Sequence, residues 1–394
     1  MPTRPCWVEI NTRFLEHNFR FLTALAGPRA ELLAVVKADA YGHSLSLCAP
    51  AAVRAGARWL GVTSVEEAVA ARSFCPDSRI LAIGGVFPGQ GGEVLRHNLT
   101  PVVWDPVHLD ELDAAARIAA VSSIPVHLEI DSGMSRQGVD LTANLDTLLA
   151  RFQSSPALRI EGVMTHLYAA DEADGHATSE QLRRTEKAAA RIQSAGFHPE
   201  WLNVGASATL VAGQADSIVQ LASRLGMKAL IRPGLALYGV TPQFNPDFDP
   251  PEPPALLRSR TELKPVLNWK SRVISTRSIA PGAVVGYNGT FVATEPMQLA
   301  LVAVGYADGL DRRLGNRFSL LVRGEHAPLV GRISMDHAVL DVTEIPGVAA
   351  GDEVVILGTQ GNETITAFDH ASACGTIPWE IFTRIGSRVA RIAV

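Results

Sequence analysis

Lys37 is the residue whose type and position most directly suggest chemistry. It closes an apolar run, Ala34 to Val36, that is typical of a buried strand. A lysine in such a place either extends its ammonium group to solvent or has a function. Desolvation lowers the pKa of a lysine and makes its amine a nucleophile toward carbonyl groups, as in Schiff-base lysines. On this residue alone, a structural lysine and a Schiff-base lysine both remain open.

Two later segments carry groups that could bind a phosphate. Ser207 follows the run Asn203-Val204-Gly205, and Gly234 and Leu235 follow Arg232. The Ser207 hydroxyl and the backbone N–H groups of Gly234 and Leu235 can hold an anion, because a glycine lets the backbone approach closely. A carbonyl-binding lysine that faces a phosphate site suggests pyridoxal phosphate (PLP). Phosphate-binding aldolase barrels, some of which use a Schiff-base lysine, remain the alternative.

The elements that must position these residues alternate between short apolar runs and helical patterns. The runs are at 32–38, 59–64, 79–85, 100–104, 125–131, 159–166, 201–205 and 229–234. Segments with apolar residues three and four apart lie between them, such as 65–74, 106–120, 141–153 and 179–195. Eight such repeats predict an α/β fold of the (β/α)8 TIM-barrel type. A doubly wound open sheet is the competitor, but no GxGxxG follows the first strand.

In a barrel of this type the active site lies at the carboxyl ends of the strands. The first predicted strand ends at Lys37 and the fifth at Asp131, with Arg136 in the loop that follows. The sixth ends at His166, and the seventh and eighth end at the two phosphate-binding segments. We therefore expect these side chains to meet at one end of the barrel.

The pattern changes near Phe244. The segment 245–257 is rich in proline and cannot continue a helix or a central strand, so it predicts a linker or an ordered surface crossing. Strand-like segments follow at 266–276, 298–304, 318–324 and 352–358, with little helical pattern until about 377–385. We predict a barrel domain at 11–243 and a mainly β C-terminal domain at 244–394. A strand within residues 1–10 is expected to belong to the C-terminal domain.

Composition narrows the class of protein. The chain has 394 residues, 47% hydrophobic and 19% charged, which is typical of a compact protein of two domains. A net charge of −5 argues against nucleic acid or an anionic membrane as the main partner. There is no apolar run of the ~20 residues needed to span a bilayer and no secretory signal. The four cysteines form no CxxC pair, so we expect a cytoplasmic enzyme without a metal site.

The segment AVVKADAYGHS (34–44) resembles the PLP-lysine signature of the alanine racemase family. Further segments match in the same order: HLEIDSGMSRQG (127–138), GVMTH (162–166), IRPGLALYGV (231–240), KPVLNWKSRV (264–273), GAVVGYNGTF (282–291), VAVGYADGL (302–310) and VGRISMDHAVLDV (330–342). The resemblance covers nearly the whole chain. It implies a PLP-binding barrel plus a β domain, a head-to-tail homodimer with shared active sites, and an isomerase that racemises alanine to supply D-alanine for peptidoglycan.

The resemblance also implies a base on each face of the substrate. Lys37 carries the cofactor and serves the D-face, while Tyr287, reaching in from the partner subunit, serves the L-face. Two such groups are needed because the α-proton leaves one side of a planar carbanion and returns on the other. Without the resemblance, Tyr287 is a turn tyrosine, since Asn288-Gly289 predicts a hairpin.

The remaining roles follow from the same resemblance. Arg232 faces the pyridine nitrogen, and its persistent charge should disfavour protonation of that nitrogen and so discourage transamination. His166 stacks on the cofactor ring, and Arg136 bonds the phenolic oxygen beside the substrate carboxylate. The phosphate contacts are Tyr41, Ser207, Gly234 and Leu235. Met335 matches a residue of the partner subunit whose backbone meets the substrate, and Asp336 and Tyr306 match residues that line the substrate entry channel.

Three residues depart from the family pattern. Glu129 replaces a lysine that is often carbamylated, so we expect a permanent carboxylate that holds Arg136. Asn203 replaces a histidine behind Arg232, and its amide can accept a hydrogen bond from the guanidinium but cannot titrate. Trp379 replaces a tyrosine that contacts the phosphate and narrows the entrance, which leaves the alanine preference open.

Three alternatives to an alanine racemase remain. A racemase of the same fold with broader specificity, for serine or larger amino acids, is the nearest. A non-catalytic PLP-binding protein would have one domain and lack a Tyr287 equivalent. A PLP decarboxylase of similar build would place a cysteine and an aspartate where this chain has Ser334-Met335-Asp336.

Overall fold

The computed structural model describes residues 4–245 and 252–394. The chain divides into two compact units. The barrel unit consists of Arg13–Ala40 and Leu45–Lys264, and the β unit consists of Pro265–Val394 with Tyr41–Ser44 and the segment that ends at Thr12. Within the described ranges, no helix is both long enough and apolar enough to cross a membrane.

Strand β1 (Cys6–Ile10) belongs to the β unit, and the next eight strands close a parallel barrel. They are β2 (Ala30–Val35), β3 (Trp59–Val62), β4 (Arg79–Ala82), β5 (Thr100–Val103), β6 (Ile124–Glu129), β7 (Leu158–Met164), β8 (Trp201–Ala206) and β9 (Lys228–Arg232). Pairing of β9 with β2 closes the circle, with Leu230 opposite Glu31. The predicted barrel, with its eight strands, is therefore confirmed.

The barrel strands are apolar on both faces because helices cover the outside while side chains fill the inside. All four residues of β3 are buried, as are all four of β5. The helices are α1 (Thr12–Ala26), α2 (Lys37–Tyr41), α3 (Leu45–Arg54), α4 (Val65–Phe74), α5 (Gly91–Arg96), α6 (Pro106–Ala119), α7 (Ala143–Gln153), α8 (His176–Ser194), α9 (Ser207–Val211), α10 (Ala215–Arg224) and α11 (Pro254–Glu262), with a 3-10 turn at Leu235–Tyr238.

The proline-rich segment is partly helical. Residues 246–251 lie outside the described residues, but Pro254 is the first residue of α11. The expectation that prolines exclude a helix throughout 245–257 is wrong, because a proline at the first helical position lacks only an N–H that would have no partner there.

The β unit is built around the long strand β10 (Leu267–Ile279). The strands that follow are β11 (Val284–Val285), β12 (Phe291–Val292), β13 (Met297–Val302), β14 (Ser319–Val322), β15 (Glu325–Pro328), β16 (Ala338–Asp341), β17 (Glu353–Gln360), β18 (Glu363–Ile365) and β19 (Ala390–Ala393), and short 3-10 turns lie at Tyr287–Gly289, Tyr306–Asp308 and Arg312–Leu314. Strand β10 pairs with β1, β13 and β17, the main sheet runs in the order β15-β14-β17-β10-β1-β19, and β11 and β12 form a separate pair.

Two helices interrupt this unit, α12 (Ala367–Cys374) and α13 (Pro378–Thr383). The sequence predicted little helix before about 377, and α12 shows that this was wrong. Its signal is a capping box rather than a long apolar period: Thr366 accepts from the Asp369 N–H, and the Asp369 carboxylate accepts from the Thr366 N–H.

Candidate active site

Lys37 begins α2, which follows β2 and is a left-handed turn rather than a right-handed helix. Ala38, Asp39, Ala40 and Tyr41 all have φ between 52° and 56°. For residues with a side chain this conformation costs roughly 1–2 kcal/mol each, so surrounding contacts must hold it.

Two carboxylates anchor the turn. Glu67 Oε1 accepts from the Ala38 N–H at 2.7 Å, while its other oxygen accepts from the Thr63 N–H. Asp39 Oδ1 accepts from the Leu45 N–H at 2.7 Å. These bonds fix the direction in which the chain leaves β2, and hence the position of Lys37.

The Lys37 amine has a lowered pKa. Burial is the main cause, and the positive charges of Arg136 and Arg232 add to it, while Glu67 opposes it. A lower pKa leaves more of the amine unprotonated at neutral pH, which is the nucleophilic form. The same interactions show that Lys37 lies within electrostatic reach of both arginines.

Arg232, the last residue of β9, is 4% exposed and tightly held. Its Nη1 donates to the Asn203 backbone oxygen at 2.7 Å and to Asn203 Oδ1 at 2.5 Å. Its Nη2 donates to the Thr165 backbone oxygen at 2.8 Å and contacts His166 Nδ1 at 3.2 Å. The hydrogen bond to Asn203 that the sequence predicted is therefore formed.

These four contacts leave one N–H donor of the Arg232 guanidinium without a partner in the described part of the chain. Arginine has five N–H groups, and the Arg232 Nε–H has no acceptor among residues 4–245 and 252–394. Burial lowers the pKa of Arg232 to about 10, so the group stays charged at neutral pH. Burial and the charge of Arg232 lower the pKa of His166 to about 3, so its ring is neutral and Nδ1 can accept.

Ser207 is the first residue of α9 and organises the loop after β9. Its Oγ accepts from the Gly234 N–H at 3.0 Å and from the Ala236 N–H at 3.1 Å. The Gly234 N–H is therefore bonded within the protein, unlike the open group that the sequence suggested. The Ser207 O–H remains to donate, and the Leu235 N–H, at the start of a 3-10 turn, has no acceptor in the described part of the chain.

The loop after β6 carries Arg136 on the protein surface. Asp131 shapes this loop, because its Oδ1 accepts from three successive backbone N–H groups, those of Gly133, Met134 and Ser135, at 2.9–3.0 Å.

Glu129 is buried at the end of β6, and its Oε2 accepts from Gln137 Nε2 at 2.5 Å. Within the described residues it forms no ion pair with Arg136, the partner that the sequence suggested. Burial raises the pKa of Glu129 to about 7, and the hydrogen bond from Gln137 and the charges of Arg232 and Arg136 oppose that rise. Its charge thus depends on pH near neutrality, whereas the sequence suggested a permanent anion.

In the β unit, the remaining candidates are on or near the surface, with the exception of Tyr41. Tyr287 is 67% exposed in the turn between β11 and β12, the hairpin that Asn288-Gly289 predicted. Backbone bonds join the turns of Tyr306 and Met335: the Tyr306 N–H donates to Ser334 at 3.0 Å and the Ala307 N–H to Met335 at 3.1 Å.

The other three β-unit candidates are differently placed. The Asp336 carboxylate accepts from Arg388 at 2.7 Å. Trp379 is 36% exposed on α13. Tyr41 is buried, and burial raises the pKa of its hydroxyl to about 12.

The open groups of the barrel unit match one kind of ligand. They are a nucleophilic amine at Lys37 and three donors, at Arg232 Nε, Ser207 Oγ and the Leu235 backbone nitrogen. PLP presents an aldehyde, a ring nitrogen that accepts a hydrogen bond, and a phosphate that needs several donors. The residues present therefore fit PLP.

Family models agree with this chemistry. The alanine racemase N-terminal domain matches residues 10–242, and the alanine racemase C-terminal domain matches residues 266–393. The chain belongs to the alanine racemase family. It is 37% identical to the alanine racemase of Sorangium cellulosum, with 98% of each chain covered, and 37% identical to that of Syntrophobacter fumaroxidans, with 96% and 95% covered.

Solved alanine racemases have the same fold. The enzyme of the D-cycloserine producer Streptomyces lavendulae is 33% identical, with a TM-score of 0.88 over 100% of this chain and 98% of that one. The Bartonella henselae alanine racemase, solved with covalently bound pyridoxal phosphate, is 27% identical, with a TM-score of 0.81 over the whole of both chains.

Four residues that bond to the candidate site residues or to a direct neighbour of one were not found in the sequence analysis: Glu67, His127, Gln137 and Thr165. Three of them bond to residues 29 to 76 positions away, and Gln137 bonds to Glu129 eight positions away without a recognisable local motif. Only Glu67 carried a signal, because an acidic residue in the first turn of a helix capped by Ser64 commonly binds nearby backbone N–H groups.

Proposed function

We propose that this protein is a PLP-dependent alanine racemase that interconverts L-alanine and D-alanine by two bases. The observation that carries the proposal is the half-buried Lys37 amine just after β2, whose pKa is lowered by burial and by the charges of Arg136 and Arg232. Membership of the family and the match to both domain models support it. We take the domains as 11–243 and 244–394, with the strand in 1–10 added to the second.

The barrel residues would hold the cofactor at three points. Lys37 would bind the aldehyde, the Arg232 Nε–H would meet the ring nitrogen, and His166 would stack on the ring, with Asn203 holding Arg232 in place. Tyr41, Ser207, Gly234 and Leu235 would hold the phosphate together with Trp379. When bound, PLP would supply an electron sink that makes the α-proton of the substrate easier to remove.

The chain's own residues then move the proton. Lys37 removes or returns the α-proton on the D-face, and Tyr287 of the partner subunit does so on the L-face. This role requires a head-to-tail homodimer. The 67% exposure of Tyr287 in one chain supports it, because the side chain is available to a second copy. Met335, Asp336 and Tyr306 would reach the same site from the partner.

Arg136 would hold the substrate carboxylate beside the phenolic oxygen of the cofactor. Glu129 would act on Arg136 only electrostatically, because its carboxyl is bonded to Gln137. With a pKa of about 7, it is an anion in only part of the molecules at neutral pH.

The proposed role is supply of D-alanine for peptidoglycan in the cytoplasm. Trp379 favours one second candidate, a racemase with broader specificity, because an indole at the entrance replaces a phenol and changes its shape.

The test is to measure D/L interconversion of alanine, serine and lysine by the purified, PLP-loaded protein under the same conditions. We expect alanine to react fastest. A lysine rate above the alanine rate would move the assignment to the broader racemase, and no racemisation of any of the three by a loaded protein would refute the proposal.

A further inference from the structure

Behind the Arg232 guanidinium, buried polar side chains from three barrel strands form a continuous chain. Arg232 on β9 donates to Asn203 Oδ1 on β8 at 2.5 Å, and Asn203 Nδ2 lies 3.1 Å from His127 Nδ1 on β6. Asn203 and His127 are fully buried, and Arg232 is 4% exposed. These hydrogen bonds therefore link Arg232, the candidate contact of the cofactor ring, to His127, which has no role in the mechanism proposed above.

The direction of each hydrogen bond in this chain follows from chemistry. A guanidinium can only donate, so the Asn203 side-chain oxygen must face Arg232 and its NH2 must face His127. An NH2 group can only donate, so His127 Nδ1 must accept and the ring proton must sit on Nε2. One tautomer of one histidine is thus tied to one orientation of the amide.

The His127 ring has little freedom to move. A Cβ at Gly162 on β7 would lie 2.7 Å from the ring, so only a glycine there leaves room for the imidazole. The Trp59 ring packs edge-on, with centroids 5.5 Å apart. These neighbours hold the ring in contact with Asn203.

The charged groups near His127 keep it neutral. Burial, with the charges of Arg79, Arg232 and Arg159, lowers its pKa to about 3. Its Nε2 lies 3.9 Å from Glu161 Oε2, beyond hydrogen-bond distance, and Glu161 is itself paired with Arg79 and Arg159. The ring is therefore neutral near pH 7, and its Nε2 has no hydrogen-bond partner among the described residues, so Nδ1 carries its one hydrogen bond, to Asn203.

We propose that His127 is a positioning residue for the racemase reaction. It holds the Asn203 amide with its oxygen toward Arg232, and so keeps the guanidinium oriented with its Nε–H toward the ring nitrogen of the cofactor. If the amide turned over, its NH2 would face the guanidinium and two donors would oppose each other. This inference rests on the proposed function, because the proposed function places Arg232 at the ring nitrogen of the cofactor.

Two substitutions separate an orienting role from simple packing. His127→Phe keeps a ring but removes the acceptor, whereas His127→Asn loses the ring but keeps an oxygen near the position of Nδ1. His108→Phe is the matched control, because His108 is also a buried barrel histidine packed edge-on against a tryptophan, Trp104.

The PLP-loaded proteins would be compared by two readouts. The first is the absorption spectrum of the substrate-free protein against pH, and the second is the ratio of transamination to racemisation with alanine. We expect His127→Phe to make the spectrum depend on pH and to raise the ratio about tenfold, because a buried donor of Asn203 loses its acceptor. His127→Asn and His108→Phe should stay within about twofold of the parent protein.

Greater damage in His127→Asn than in His127→Phe would show that the ring only packs, and would overturn the inference. Parent-like spectra and ratios in a loaded His127→Phe would overturn it as well. If His127→Phe fails to fold while His127→Asn folds and matches the parent, the acceptor rather than the ring is what matters, which supports the inference. A parent protein that binds PLP but racemises no alanine refutes the proposed function instead, and the spectra still decide the role of His127.

Discussion

Arg232 in the barrel unit and Tyr287 in the β unit are both expected to face the reacting molecules, yet their surroundings are opposite. Arg232 is 4% exposed and uses both of its terminal nitrogens on protein acceptors. Tyr287 is 67% exposed in a hairpin turn. This difference is what we expect if, as proposed, one chain organises the cofactor contacts by itself while Tyr287 acts in the site of a second copy.

The same contrast between buried and exposed side chains separates the candidate residues of the barrel unit from most of those in the β unit. Asn203, Ser207 and Glu129 are buried and bonded within the barrel unit. Tyr306 and Met335 are 43% and 53% exposed. Substitutions in the first set should therefore disturb the free chain, and substitutions in the second should disturb catalysis alone.

The largest effect is expected at Lys37. Lys37→Ala should reduce racemisation by at least about 10⁴-fold, because the substitution removes both the group that holds the cofactor and one of the bases. The purified variant should also lose the yellow colour that borohydride abolishes in the parent. Lys187→Ala, which removes an exposed lysine from α8, is the control and should match the parent in both measurements. A Lys37→Ala variant that is yellow and active would contradict the claim that the barrel unit holds the cofactor through Lys37.

A stability measurement sharpens the contrast directly. In the cofactor-free protein, Arg232→Leu should lower the free energy of unfolding by about 3 kcal/mol, because buried oxygens of Thr165 and Asn203 lose their donor. Tyr287→Phe should change it by less than about 0.5 kcal/mol, because the hydroxyl is on the surface. Urea unfolding measures both, and equal losses would contradict the comparison.

The pH dependence of stability should reveal Glu129. Its pKa in the folded protein is raised from 4.5 to about 7 by burial, so the folded state favours the protonated carboxyl. That contribution is fully present below the unfolded pKa and is lost as the pH rises through about 7, by at most about 3 kcal/mol. Glu129→Gln should remove this loss from urea unfolding of the cofactor-free protein. An unchanged pH profile would show that Glu129 titrates normally.

The smallest effect is expected at Trp379. Trp379→Tyr should raise the preference for alanine over serine, measured as the ratio of kcat/KM values, by about threefold. Its stability should not change, because the side chain is 36% exposed on a short helix. If the preference for alanine over serine were unchanged or reversed, Trp379 would not be part of the substrate entrance.

The barrel was predictable because its strands are short, mainly apolar and largely buried runs such as Trp59–Val62, which can be recognised without knowing which strands they pair with. The candidate residues at the strand ends followed from that fold. The left-handed turn after Lys37 was not predictable, because four non-glycine residues adopt it only with Glu67 and Asp39 holding the ends.

Side-chain partners were equally hidden. No motif indicates that Gln137 binds Glu129, eight positions away, or that His127 contacts Asn203, 76 positions away. The helix α12 was missed for another reason: its eight residues are too few to show a clear apolar period, and its capping residues carry the signal.

The central claim, that Lys37 and Tyr287 serve opposite faces of the substrate, is tested most directly by isotope exchange. The PLP-loaded Tyr287→Phe variant would be incubated with each alanine enantiomer in deuterated water, and entry of deuterium at the α-carbon followed by mass spectrometry. We predict that D-alanine still exchanges through Lys37, while exchange of L-alanine and racemisation both fall about 10³-fold. Equal exchange of both enantiomers would contradict the assignment of the two bases.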